Sequence, residues 1–285
     1  MAVCSRGFRL LLRPFLRPVE VLRAPARCSN AGSALTSRKR FYRKTSVLDA
    51  GGGLWEVTLD QRRVRTPAGQ VLRVDNESLA LALCHEWDSQ KDTINLSAMH
   101  LHGLVTTALD NPNKLTKMDL ANSIIQYIET DTVLFHSEEP EDLKTLQAER
   151  WNPVLAWFND VMNTSLRYTT SIEPPEVTVN DKQAVQRYLL SHSFLALHGL
   201  SYATDVLKSI VLGAAVARRH LTVPEAVLLS RLEEDFQCDH WGRVEWSHDI
   251  SQEDAQARLA AASILIQLSM PSPIATQKKH NLGGQ

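Results

Sequence analysis

Cysteine is scarce in this chain: four among 285 residues, with no CxxC spacing. That excludes a zinc ribbon or a disulfide framework and fits a reducing compartment. Long apolar runs are also missing. The longest candidate, Ile210 to Ala217, is flanked by Lys208 and Arg218. It falls well short of the roughly 18 apolar residues that cross a bilayer, so no membrane insertion is expected. There is no HExxH pair, no dinucleotide fingerprint and no GxSxG elbow; the stretch from Gly199 through Ser201 to Ala203 lacks the second glycine. Gly51, Gly52 and Gly53 are not followed by the lysine and Ser/Thr of a phosphate loop and read as a turn. His100 and His102 stand two apart, about 200° round a helix, so they cannot hold one metal from the same face. No cofactor or metal is expected.

Net charge is nearly absent too, at −1, but the balance hides a split. The first 44 residues hold nine arginines and two lysines against the single acid Glu20. The leader therefore carries about +10 and the remainder about −11. Arg6, Arg9, Arg13 and Arg17 would share one face of a helix, with Phe8, Leu11, Leu12 and Phe15 mostly opposite. An arginine-rich, acid-poor amphipathic leader directs import into the mitochondrial matrix; a basic tail for nucleic acid or acidic lipid is the plainer alternative. The acidic body argues against nucleic acid, since phosphate recognition wants a basic stripe. Residues 1–37 are accordingly expected to be a targeting presequence.

The hydrophobic period changes near residue 75. Before it, Trp55, Val57 and Leu59 alternate with polar residues, and Val64 and the run Val71 to Val74 follow around the turn at Pro67 and Gly69. Period two with Gly and Pro punctuation predicts short antiparallel strands. After it, helices are expected from an Asp75 or Asn76 cap to Gln90, over 97–110, and over 116–129 behind a Thr116/Asp119 capping box. Another is expected from Glu139 toward Arg150, restarted at Asn152 and Pro153. Residues 163–179 read as a linker or an extra strand. Asn180 or Asp181 opens the next helix, a long one spans Phe194 to Arg219, and Thr222/Glu225 and Ser251/Asp254 open two more. The apolar end at Ile264, Leu265 and Ile266 implies burial on every side, and the tail over 271–285 is expected to be disordered.

Two stretches are dense in aromatics and acids: Glu86 to Ile94, and Leu229 to Asp249. In the second, Leu229, Leu232 and Phe236 form the inward stripe, so Glu234 and Arg231 point outward as a solvated pair. Glu233 lies at the boundary, where it either bonds a neighbouring element or faces a partner. Trp241 and Trp246 flank Gly242, a candidate helix C-cap, and with their acidic neighbours could anchor an interface. Trp87 falls on the inward side of its helix, and Cys84 on the same apolar stripe reads as a buried thiol. The candidate partner-binding residues are Glu233, Glu234, Trp241, Trp246 and Asp88; none is assigned to catalysis.

These two stretches, with Arg40-Phe41-Tyr42, Leu59-Asp60 and Arg62, Thr66-Pro67, and Leu109 to Pro112, resemble the mitochondrial ATP synthase F(1) complex assembly factor 2 family over residues 38 to 268. The resemblance implies an α+β protein: a small α/β amino-terminal domain with antiparallel strands (38–165) and a mainly α-helical orthogonal bundle (166–270). It also implies a monomeric, non-enzymatic chaperone. Its partner would be the unassembled F(1) α subunit, held until the β subunit replaces it, with transient contact to other assembly factors. Two other classes remain open from the residues alone: a matrix hydrolase using a carboxylate such as Glu233, and a structural subunit of a matrix complex.

Overall fold

The period-two segment folds into antiparallel strands. The computed structural model describes residues 38–269; the expected leader and the tail from 271 lie outside them. Among the described residues strand β1 (Arg38–Lys39) comes first, followed by β2 (Thr45–Gly51), β3 (Leu54–Leu59), β4 (Arg62–Arg63) and β5 (Arg73–Val74). β3 is central, pairing with β2, β4 and β5, with Val47 opposite Val57 and a register shift between Asp49 and Gly51. Gly51, Gly52 and Gly53 all have positive φ, which only glycine adopts without strain, so the turn is where the sequence placed it. Glu56 on β3 is fully buried. Arg73 Nε donates to its Oε1 at 2.7 Å, and Arg63 Nε stands 2.9 Å from Oε2 without hydrogen-bond alignment. The buried carboxylate is thus paired, as it must be.

Helices follow: α1 (Glu77–Asp88), then strand β6 (Thr93–Ile94) paired with β1, then α2 (His100–Asp110), α3 (Lys117–Gln126) and α4 (Glu141–Met162). Beyond a non-helical stretch come α5 (Val179–Leu190), α6 (Phe194–Leu207), α7 (Ile210–Ala217), α8 (Val223–Ser230), α9 (Leu232–Trp241) and α10 (Ser247–Leu268). The caps explain most starts. Asn76 accepts from Ser78 N, and complete capping boxes stand at Thr116/Asp119, Thr178/Asp181 and Thr222/Glu225. The arrangement is α+β, as expected.

Several elements depart from the sequence reading. Asn152 and Pro153 do not restart a helix: α4 runs through them. Pro153 sits on the exposed side, and the missing bond falls on the carbonyl of exposed Glu149. The buried stripe of Leu143, Gln147, Trp151, Val154, Leu155, Phe158 and Met162 continues unbroken on the other side. Conversely, the helix expected over 194–219 is two. Lys208 is left-handed (φ 52°), and Ser209 re-caps the chain by accepting from Leu212 N. Asp131 stabilises the break by accepting from Val211 N and Val133 N, and Thr132 bonds the Lys208 carbonyl. Burial pushes the Asp131 carboxyl up to about 6 against these bonds. α10 starts four residues before Ser251. Ile264 is 41% exposed, so the apolar helix end is buried on one side only. Cys84 is half-buried, whereas Cys238 is buried.

Two hydrophobic clusters result. The smaller joins the sheet, α1 and α2 through Val57, Leu72, Leu79, Leu83, Trp87 and Val105; the larger runs from Leu120 on α3 to Ile266 on α10. The division expected at 165/166 falls within the larger one. α10 serves both, giving Ala261 and Leu265 to the small cluster and Leu259, Ala262 and Ile266 to the large one. Its other close neighbour is α6. A Cβ built on Gly199 would lie 2.8 Å from Ile266 Cγ1 and 3.2 Å from the Ala262 carbonyl, so the two backbones approach as only glycine permits.

Gly199→Val should therefore lower stability by about 1–3 kcal/mol through overpacking. Gly103→Ala, on an exposed face of α2 with nothing near the added methyl, should raise it by about 0.5–1 kcal/mol. Denaturant unfolding of both variants measures this; equal shifts would mean that α6 and α10 do not touch at Gly199.

Candidate partner-binding face

The stretch Glu86 to Ile94 is built inward. α2 has no side-chain cap of its own at Met99. Glu86 supplies one from α1, accepting from Leu101 N at 3.0 Å and His102 N at 2.7 Å. Burial raises the Glu86 pKa, and those two bonds oppose the shift. Trp87 is 7% exposed; its ring meets Tyr42 and His102 edge-on, and its carbonyl accepts from Tyr42 Oη at 2.7 Å. Asp88, one of the candidate contact residues, forms an ion pair with Arg40 at 3.1 Å, and Arg40 also donates to the Asp88 and Gln90 carbonyls. This stretch fastens the entering chain to α1 and α2.

The second stretch is half inward and half outward. Glu233 lies on α9 against α4, where Gln147 Nε2 donates to its Oε1 at 2.6 Å. Gln147 is fully buried and its Oε1 accepts from Ser137 N, so a carboxylate, an amide and a backbone N–H form one relay. Burial raises the Glu233 pKa, with the Gln147 bond opposing. Trp151 Nε1 donates to the Leu229 carbonyl beside it. Glu233 thus bonds a neighbouring element, α4.

Arg231 is not a solvated partner for Glu234: its side chain is only 10% exposed. It is the joint between α8 and α9 rather than a position within one helix, so a 100° projection misplaces it. The guanidinium donates to Glu234 Oε1 at 2.7 Å and to Ser251 Oγ at 2.8 Å, and His248 Nδ1 lies 2.8 Å from the same Glu234 oxygen. The projection could not show that α10 folds back to cover the joint.

Outside this bonding lies an apolar surface. Trp241 is 81% exposed, Val244 64%, Trp246 70% and Ile250 63%. Asp239, Glu245 and Asp249 are exposed among them, with Arg243 bridging Asp235 and Asp249 at 3.5 and 3.6 Å. Gly242 ends α9 at φ 89°, and Trp246 enters α10 at φ 68°. A left-handed tryptophan costs about 1–2 kcal/mol, so its pose is imposed. Val244 and Ile250 were not singled out from sequence; their signal was apolar residues in a run otherwise polar enough to be solvated. Four of the five candidate residues lie on α9 and the turn into α10, whereas Asp88 ends α1 and pairs with Arg40.

Residues 39–159 match the family model described as ATP12 chaperone protein. Among curated proteins, the chain is similar to "Protein atp12, mitochondrial" of Schizosaccharomyces pombe, 27% identical over 240 residues covering 80% of this chain and 82% of that protein. It is also similar to "Protein ATP12, mitochondrial" of Saccharomyces cerevisiae, 25% identical over 272 residues, covering 80% and 83%. The crystal structure of Atp12 from Paracoccus denitrificans superposes with a TM-score of 0.74 at 29% identity, covering 81% of this chain and 98% of that one.

Burial of the His102 imidazole against Trp87 pushes its pKa down to about 4 from 6.5. The unfolded chain takes up that proton first, so the stability His102 carries is full above pH 6.5 and is lost as the pH falls toward 4. The difference corresponds to about 3 kcal/mol. Asp131 works in the opposite sense between about pH 4 and 6, so the comparison must be with His102→Leu. The wild type should lose more stability than that variant between pH 7.5 and 5; parallel losses would place His102 in water.

Proposed function

We propose that the chain is a member of the ATP12 chaperone family, whose model its residues 39–159 match, and that it binds the unassembled α subunit of the mitochondrial ATP synthase F(1) head. It shields that subunit from aggregation in the matrix and yields it to the β subunit, without catalysing a reaction. An unassembled subunit of a hexameric ring exposes a broad, partly apolar interface, which aggregates unless covered. Covering it needs a complementary surface and no fuel, and the chain carries no nucleotide-binding motif.

The observation that carries this reading is the concentration of Trp241, Val244, Trp246 and Ile250, each more than 60% exposed, within ten residues. Exposed tryptophans in an otherwise well-buried structure suit the centre of an interface. The acids around them, on a body of about −11, suit a client whose surface is basic at the rim, where charge speeds encounter rather than deepening affinity. Release then needs only that the β subunit make the better contact with the same client surface.

Trp241→Ala combined with Trp246→Ala should leave the melting temperature within a degree or two, because neither ring is buried. It should weaken capture of the F(1) α subunit at least tenfold, read as light scattering when that subunit is diluted from denaturant. Full protection by the doubly substituted protein would remove this face from the account.

A further inference from the structure

The exposed turn between α9 and α10 is held from beneath by one side-chain cluster, and its geometry is more specific than helix capping requires. We infer that Arg231, Glu234 and His248 form a clamp that positions the Trp241–Trp246 turn for its partner, making Glu234 a positioning residue rather than a contact residue. The inference rests on the reading of that turn as the client-binding face.

Three observations converge on it. The Arg231 guanidinium reaches both helices at once. It donates to Glu234 Oε1 on α9, to Ser251 Oγ in the first turns of α10 and, at 3.4 Å, to the His248 carbonyl. Glu234 Oε1 in turn accepts from Arg231 and from His248 Nδ1, the tautomer with the proton on Nδ1, so a single oxygen ties the start of α9 to the start of α10. The segment between those ties, residues 235–247, is therefore closed into a loop that carries the turn at 242–246.

Second, what is pinned is strained and unsupported on its outer side. Trp246 holds φ 68° at the N-cap of α10 with no side-chain cap bond, while its ring is 70% exposed. A bulky residue persists in that region only where its surroundings determine it, and such outliers collect at binding sites. Core packing does not supply the determinant here; the clamp does.

Third, the two arginines at the turn are not equivalent. Arg243 is 46% exposed and its carboxylate partners stand 3.5 and 3.6 Å away, so water and salt weaken its hold. Arg231 is 10% exposed with bonds of 2.7 and 2.8 Å. A shielded guanidinium resists screening and sets the turn before a partner arrives. A turn already in its bound pose does not lose conformational freedom on binding, which is how preorganisation adds affinity.

Glu234→Gln tests this in the full chain, with the F(1) α subunit diluted from denaturant as probe. Amide exchange in residues 242–250 should rise at least tenfold while exchange in α6 stays unchanged, and about tenfold more chaperone should be needed for half-protection. Ser251→Ala, which removes one acceptor and no charge, should act in the same direction by about threefold, and it decides the matter if Glu234→Gln loosens α6 as well. On a Trp246→Ala background Glu234→Gln should cost little further protection, since there is less to position. Unchanged exchange over 242–250 in both variants, faster exchange with undiminished protection, or an undiminished loss on the Trp246→Ala background would overturn the clamp. Full protection by the doubly Trp-substituted protein would instead overturn the reading of the face, and the exchange measurement would still report on the clamp.

Discussion

The close contact between α6 and α10 is the constraint from which the rest follows. Gly199 lets the two backbones meet, and α10 can then give side chains to both hydrophobic clusters. Its far end is tied down on several sides: the Leu268 carbonyl accepts from the Asn76 cap of α1, the Ser269 carbonyl from the Ser193 cap of α6, and Gln267 donates to the Ala217 carbonyl that ends α7. A 22-residue helix anchored at its C-terminal half carries its N-terminal half to the joint between α8 and α9, where Arg231 ties it. The first turns of α10 carry Ser247 to Asp249 and form the far wall of the exposed turn. The candidate face thus sits at one end of a helix whose other end is anchored by core packing.

The two stretches that look alike in sequence divide the work. Glu86, Trp87 and Asp88 spend their hydrogen-bonding and packing capacity on the protein itself, capping α2, filling the sheet-side cluster and pairing with Arg40. The stretch from Leu229 does both: Leu232 packs inward and Glu233 and Arg231 bond inward, while Trp241, Val244 and Trp246 remain in solvent. Charge does not separate the cases, since both are acidic. What separates them is whether a neighbouring element offers donors. Glu86 finds the uncapped start of α2, and Glu233 finds the buried amide of Gln147.

How much was legible follows from where each signal lives. The capping boxes at Thr116 and Thr222, the triple-glycine turn and the Gly242 helix end are local chemistry, and they stand in the structure where the sequence placed them. Pro153 was misread as a boundary because tolerance of a proline depends on whether the lost bond faces water, which a third dimension decides. The break at Lys208 was invisible for the converse reason: its support comes from Asp131 and Thr132, more than seventy residues away. Arg231 was misplaced because a helical projection assumes one continuous helix, and this residue is the hinge between two. The family resemblance suggested the role of the chain, but the exposed Val244 and Ile250 emerged only from the fold.

The proposed role is to cover another protein's assembly interface with the turn between α9 and α10. Site-specific photocrosslinking tests that most directly. A photoreactive benzophenone side chain at position 244 should crosslink to the F(1) α subunit, at residues that the β subunit covers in the assembled head, and added β subunit should abolish the product. Crosslinking from position 48 on the sheet edge with none from 244, or a crosslink that persists after the β subunit has bound, would contradict it.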